Sequence, residues 1–397
     1  MKRYQWMGIM LSLVLLLCSC GTDKEVEKKA GESTSTPSAT ASVTPLISED
    51  EAFSEAEKIV KTMTIEQKVG QMFLVDLLQL DASPSVDGTA YKATDSMKQA
   101  IIDYHLGGVY LTKENIKSQK QTKKLVQNLQ ASVVSGSALY VAVEEDGGGE
   151  NSISAKVEDL KDTGYVTPKE MGQNMTANQI YESGKTIAGE LTKIGINLNL
   201  APVADLASDQ NPSYAMRCLG SDADGVADLL DDFVSGMREG GLSVTLKTFP
   251  SIAENTDSLM TIRDTNFVPY ASGIQAGADC VMVSNAAYSK LTVKKVPAFM
   301  SQDIVTKLLR EELGFDGIVM TSPLNDNVIE NNYTNEFAVV EAVKAGCDLI
   351  VLPGNFKECY EALITAVEEG RIDEKVINTS VRRILQNKIQ RGILVLE

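Results

Sequence analysis

Eight short and almost unbroken apolar runs punctuate this chain, at Gln71–Asp76, Gly107–Leu111, Ala138–Glu144, Asn197–Asp205, Ser243–Phe249, Asp279–Ser284, Gly317–Ser322 and Cys347–Leu352. A strand with one wet face alternates apolar and polar residues, whereas a parallel strand covered on both faces reads as a continuous apolar run. Helical patterns lie between the runs. Asn178–Ile194 brings Ile180, Thr186, Ile187, Leu191 and Ile194 to one side, and Val226–Glu239, Ser301–Leu313 and Asn335–Ala345 behave similarly. Eight strands alternating with helices predict the α/β class and a (β/α)8 TIM-type barrel built as a single domain over residues 51–397. A hydrophobic content of 43% is ample for such a core.

The segment before the barrel has a different character. Lys2 and Arg3 precede the apolar run Met7–Leu17, and Leu17-Cys18-Ser19-Cys20-Gly21 follows it. Charge, apolar core and small-residue exit are the parts of an export signal. The run is short for a membrane span, which needs about 20 residues. The Leu-Cys-Ser-Cys order resembles a bacterial lipobox, with Leu17 three residues before Cys20, so residues 1–20 are expected to be a lipoprotein signal peptide and Cys20 the lipidated residue. Ordinary signal cleavage is the alternative. Residues 21–50 are polar, rich in Ser and Thr and free of aromatics, so they are expected to form a disordered linker. As a flexible coil, that linker would reach on the order of 30 Å. The expected location is therefore outside the cytoplasm, on the bacterial membrane through a lipid anchor, with a monomer as the default state.

A formal net charge of −17 argues against nucleic acid as a partner and against general attraction to anionic lipid. Of the six cysteines, Cys218, Cys280, Cys347 and Cys359 fall inside the barrel with no CxxC or metal-ligand spacing. They are expected to be buried thiols, and no metal or cofactor is implied.

Several segments also resemble glycoside hydrolase family 3, in the right order along residues 63–394. Met63–Met72 is similar to that family's opening helix and first strand, and His105–Leu111 to its second. Leu139–Gly148, reading LYVAVEEDGG, resembles its Asp-x-Glu-Gly-Gly strand end, and Gly195–Asp205 its fourth strand. Met216–Gly220 resembles Arg-Ser-Phe-Gly, and Leu309–Gly317 resembles Leu-Arg-x-x-Leu-Gly-Phe-Asp-Gly. Val381–Gly392 is similar to the closing helix of the single-barrel β-N-acetylglucosaminidases, the branch expected here because no second domain follows in this sequence.

The resemblance implies a carbohydrate partner, with a peptidoglycan fragment as one expectation, and it implies a role for each strand end. Glu144 and Asp146 stand where the family places an aspartate and a glutamate, and Asp205 and Arg217 match residues that shape the sugar subsite. The family's Lys-His-Phe-Pro-Gly-His-Gly becomes Lys247-Thr248-Phe249-Pro250-Ser251-Ile252-Ala253, which keeps the lysine and loses both histidines. Glu144, Asp205, Arg217 and Lys247 are thus the candidate substrate-binding residues. Lys247 and Arg217 could equally serve to neutralise the acids around them.

Two positions break the pattern. The family nucleophile is an aspartate and here it is Ser322; the family acid/base histidine corresponds to Leu259, in a loop shortened by one residue. Retaining glycosidases need a carboxylate nucleophile and a proton donor on the leaving oxygen. A serine hydroxyl is un-ionised near neutral pH and a leucine exchanges no proton. Losing proton transfer alone removes about 10²- to 10⁴-fold of rate. The one histidine of the chain, His105, begins the second strand, remote from a barrel mouth, and is expected to be structural. Asp326 and Glu254 are the candidate substitutes, subject to a carboxylate spacing of roughly 5 Å for retention or 6.5 to 9.5 Å for inversion. Three readings follow: a non-hydrolytic amino-sugar binder, a divergent active β-N-acetylhexosaminidase, and a protein-interaction scaffold without sugar binding.

Overall fold

The computed structural model describes residues 47–81, 90–133, 137–148, 153, 166–209, 212–252, 258–292 and 295–396. Cys20 and Glu254 lie outside these residues, as do the expected signal and most of the expected linker. The first helix begins at Glu49, two residues before the expected barrel boundary at residue 51. Ser48 caps the helix Glu49–Thr62, whose first turn carries Glu49, Asp50 and Glu51 against the positive helix end.

All eight expected strands form: β1 (Phe73–Asp76), β2 (Gly108–Tyr110), β3 (Tyr140–Val143), β4 (Leu198–Asn199), β5 (Ser243–Phe249), β6 (Cys280–Val283), β7 (Ile318–Thr321) and β8 (Ile350–Val351). Neighbours pair in parallel in the order β7-β6-β5-β4-β3-β2-β1-β8. The circle closes between β7 and β8, where Met320 bridges Leu349 and Asp348 N donates to Val319 O at 2.7 Å. This is the (β/α)8 barrel. Every residue of β5 is buried, as expected for a strand between a packed interior and a helical coat.

The coat follows the apolar stripes. The helix Ala177–Lys193 buries Ile180, Ile187 and Leu191. It packs closely against the helix Ala223–Glu239 because both present glycine at the crossing. A Cβ on Gly236 would lie 2.1 Å from Tyr181 O, and one on Gly184 2.6 Å from Phe233 O. The segment expected as an α-helix at Ser301–Leu313 instead winds as a π-helix over Asp303–Glu312, with Leu313 N donating to Leu308 O at 3.0 Å. Its buried Ile304, Val305, Leu308 and Leu309 recur at a spacing that either winding satisfies, so periodicity did not separate them.

Cys218, Cys280, Cys347 and Cys359 are free and buried, as expected. Burial pushes the thiols of Cys218 and Cys359 up to about 12, so they are inert near neutrality. No helix among the described residues is long and apolar enough to cross a membrane.

Candidate functional site

The parallel ladder aims every strand the same way, so the loops after β3, β4, β5, β6 and β7 meet at one mouth. A cavity of about 250 Å³ opens there, lined by Glu144, Arg217, Lys247, Asn285, Ser322 and Asp326 among others. Four of the residues singled out for sugar contact or catalysis are thus brought together with one candidate substitute.

Lys247 is buried near the end of β5, at 3% exposure. Its Nζ lies 2.6 Å from Glu144 Oε1 and 2.9 Å from Asp146 Oδ1. Arg217 reaches the same two acids from the loop after β4, with Nη2 2.5 Å from Glu144 Oε1 and Nε 2.5 Å from Asp146 Oδ2. Two cations and two carboxylates therefore close on each other. Burial works to raise the Glu144 carboxyl, but the charges and hydrogen bonds of Lys247 and Arg217 prevail and hold it at about 2. Such a group stays ionised at any physiological pH and cannot serve as a general acid. The Arg217 guanidinium also lies 5.5 Å from the centre of the Tyr214 ring, a cation–π contact that fixes its plane.

Asp205 is elsewhere in the mouth, at 2% exposure, and does not line the cavity. Its Oδ2 accepts from Tyr214 Oη at 2.9 Å, Thr248 N at 3.3 Å, Thr248 Oγ1 at 3.2 Å and Ile252 N at 3.0 Å. It therefore ties the loop after β4 to the end of β5. With no cation among these partners, burial pushes its carboxyl up to about 6 even though the hydrogen bonds favour the charged form.

Ser322 lies at the cavity wall, its backbone N donating to Val283 O at 2.9 Å. Asp326 caps the turn Asn327–Glu330, its Oδ1 accepting from Val328 N at 2.7 Å. Leu259 begins the helix Leu259–Asp264 and packs against the core instead of entering the cavity, whereas Ile252 sits on its rim. His105 precedes β2 at the opposite end of the barrel, beside a separate cavity, and its carbonyl accepts from Gln71 Nε2 at 2.7 Å.

Two lining residues escaped the sequence reading. Tyr214 links both clusters, and Asn285, just past β6, donates from Nδ2 to Pro323 O at 2.9 Å while its buried Oδ1 has no partner among the described residues. The rule that barrel chemistry collects just after each strand would have found Asn285.

The glycosyl hydrolase family 3 N terminal domain matches residues 64–387. The chain belongs to glycosyl hydrolase family 3. A beta-hexosaminidase A of Pseudoalteromonas piscicida is 25% identical over 369 residues, covering 82% of this chain and 61% of that protein. A beta-hexosaminidase of Xylella fastidiosa (strain M23) is 29% identical over 266 residues, covering 63% of this chain and 77% of the relative. Among solved structures, a family 3 beta-N-acetylglucosaminidase from Paenibacillus sp. str. FPU-7 superposes with a TM-score of 0.74 at 29% identity, over 85% of this chain and 64% of that one. The beta-N-acetylhexosaminidase from Beutenbergia cavernae DSM 12333 gives 0.69 at 28%, over 82% and 98%. The family 3 barrel is thus matched to β-hexosaminidase-like proteins, while the chain spans 61% of the length of the Pseudoalteromonas relative.

Proposed function

We propose that this protein is a lipid-anchored, extracytoplasmic family 3 barrel that does not hydrolyse glycosides and binds an amino-sugar glycan such as a cell-wall fragment. The observation that carries this reading is the composition of the mouth. Ser322 lines the cavity where the family resemblance calls for a carboxylate, and Glu144, the lining acid just after β3, is held ionised by Lys247 and Arg217. Attack on an anomeric carbon needs a nucleophile and a proton donor; the Ser322 hydroxyl is un-ionised near neutral pH, and a carboxyl held at about 2 and paired with two cations donates no proton. Binding asks less. Among the described residues the buried Asn285 Oδ1 accepts no hydrogen bond, and Asn285 and Glu144 both line a space that Leu259 leaves open. Sugar hydroxyls are donors suited to such acceptors.

Calorimetric titration with N-acetylglucosamine and with muropeptides tests the reading. Saturable binding together with background-level hydrolysis of an aryl N-acetylglucosaminide is expected. Absence of saturable binding at millimolar ligand sinks the sugar-binding part and favours a scaffold. Anchoring is tested separately, since Cys20→Ala should release the protein from the membrane fraction.

Asp326 favours a second reading, because it lines the same cavity as Glu144. If the parent cleaves the aryl substrate and Asp326→Ala abolishes that rate, the chain is a divergent β-N-acetylhexosaminidase.

A further inference from the structure

A larger cavity, of about 750 Å³, lies at the other end of the barrel, where β6 and β7 begin. Arg238, Arg382, Arg383 and Arg391 all line it, on a chain whose formal charge is −17. The carboxylates within reach are already committed. Asp279 takes Arg391 Nη2 on both oxygens at 2.7 Å and Arg391 Nε at 2.9 Å, and also accepts from Asn387 Nδ2 at 2.9 Å and Val244 N at 3.0 Å. Arg238 comes no nearer to it than 3.8 Å; its Nη1 donates to Ala276 O at 3.3 Å, while its buried Nε makes no hydrogen bond among the described residues. Asp348 is likewise taken by Arg310, by Val319 N at 2.9 Å and by Ser380 Oγ at 2.8 Å. Arg383 donates to it at 3.3 Å through Nη1, and its buried Nε has no partner among the described residues.

Arg382 has no carboxylate within ion-pair distance among the described residues. It lies 4.4 Å from the centre of the Phe53 ring and donates to Gln386 Oε1 at 3.0 Å. Two further acids, Glu49 and Asp316, line the cavity, but both are exposed and neither forms an ion pair among the described residues; Glu57 also acts on Arg382 from a distance. The like charges are felt. Burial, and then Arg391, lowers Arg238 from its ordinary range; burial, and then Arg383, lowers Arg382.

We propose that this cavity binds a phosphate-bearing ligand through Arg238, Arg382 and Arg383. Guanidinium forks match the oxygens of phosphate in pairs, and an oxyanion would supply the acceptors that Asp279 and Asp348 cannot. The volume suits a small ligand. The phosphate could come from a soluble ester or from a lipid headgroup. The second source is pertinent because Ile47, the first described residue, lines this cavity, so the described chain begins at this end of the barrel. The proposal is independent of sugar binding, and only its lipid arm rests on the Cys20 anchor.

The test uses the mature chain with Cys20→Ala, titrated calorimetrically with inorganic phosphate and with pyrophosphate. The same protein is then co-sedimented with phosphatidylcholine vesicles with and without phosphatidylglycerol. Saturable binding with a dissociation constant at or below about 1 mM, weakened at least about tenfold in the Arg238→Gln/Arg382→Gln double variant, is expected. Capture only by vesicles containing phosphatidylglycerol, lost in the same variant, assigns the site to lipid. Should the double variant melt early, Arg382→Gln alone carries the comparison, since that guanidinium holds no carboxylate. Failure of phosphate, pyrophosphate and vesicles alike to bind overturns the proposal, and so does binding that the variants leave unchanged.

Discussion

At the end of β3, Glu144 meets Lys247 and Arg217, and its carboxyl is held at about 2; beyond β4, Asp205 meets hydroxyls and backbone amides, and burial lifts its carboxyl to about 6. The two acids share one barrel mouth, and burial acts on both in the same direction. What differs is the partner. Full charges on Lys247 and Arg217 overcome desolvation, whereas four neutral hydrogen bonds to Asp205 Oδ2 do not. The lesson for the site is that its exposed acid is a fixed charge and its buried acid is the one poised to titrate.

The harshest way to break this contrast is to remove the cation. Lys247→Ala leaves Asp146, itself 7% exposed, with Arg217 alone, and a broken buried pair of this kind costs about 3 to 5 kcal/mol. Urea denaturation at neutral pH would show it as a lower midpoint with an unchanged slope. A loss under about 1 kcal/mol, typical of exposed pairs, would mean that water already screens the cluster.

Next in size is the pH dependence set by Asp205. Its folded carboxyl is raised from 3.8 to about 6, so its contribution to stability is complete below the unfolded value and is lost as pH rises through about 6. That difference amounts to about 3 kcal/mol between pH 4 and 7, at 1.36 kcal/mol per unit. In Asp205→Asn this slope should vanish from thermal melts taken across that range, whatever the variant's absolute stability. A parent curve that is flat there, with no slope for the substitution to remove, would refute the raised carboxyl.

Glu144 should give the smallest effect, in the opposite sense. Its carboxyl is lowered from 4.5, so its contribution is present above that value and is lost as pH falls toward about 2. Because its side chain is 41% exposed, solvent screens much of it. Glu144→Gln should therefore flatten only the acid limb below about pH 4.5, seen by circular dichroism during acid titration. A change confined to pH 5–7 would assign the wrong acid.

Legibility along the chain was uneven for physical reasons. β5 runs over Ser243–Phe249, the same residues its apolar run marks, because both faces are buried along its whole length. The expected fourth strand, Asn197–Asp205, pairs regularly only at Leu198–Asn199, with a later bridge from Val203 to Lys247. Hydropathy reports burial and is blind to where a hydrogen-bond ladder breaks. At the site, Glu144, Arg217, Lys247 and Ser322 were legible because the family resemblance marks those positions, and the barrel brings them to one mouth. Asp205 occupies an equivalent strand end, yet its side chain turns inward to Tyr214 and Thr248, and no local pattern encodes that direction.

The sequence by itself determined the eight-fold alternation and the buried thiols, because each depends on residue type and local period; that Ser322 and Leu259 stand in for a carboxylate and an imidazole is what the family resemblance implies. Tertiary structure alone decided which charges neutralise one another. Lys247 and Arg217 turn out to be spoken for by Glu144 and Asp146, while Arg238 and Arg382, from different helices, line one cavity where Arg238 comes no nearer to Asp279 than 3.8 Å and Arg382 pairs with no carboxylate among the described residues. Charge pairing depends on distances between residues far apart in the chain, and only the closed barrel sets those distances.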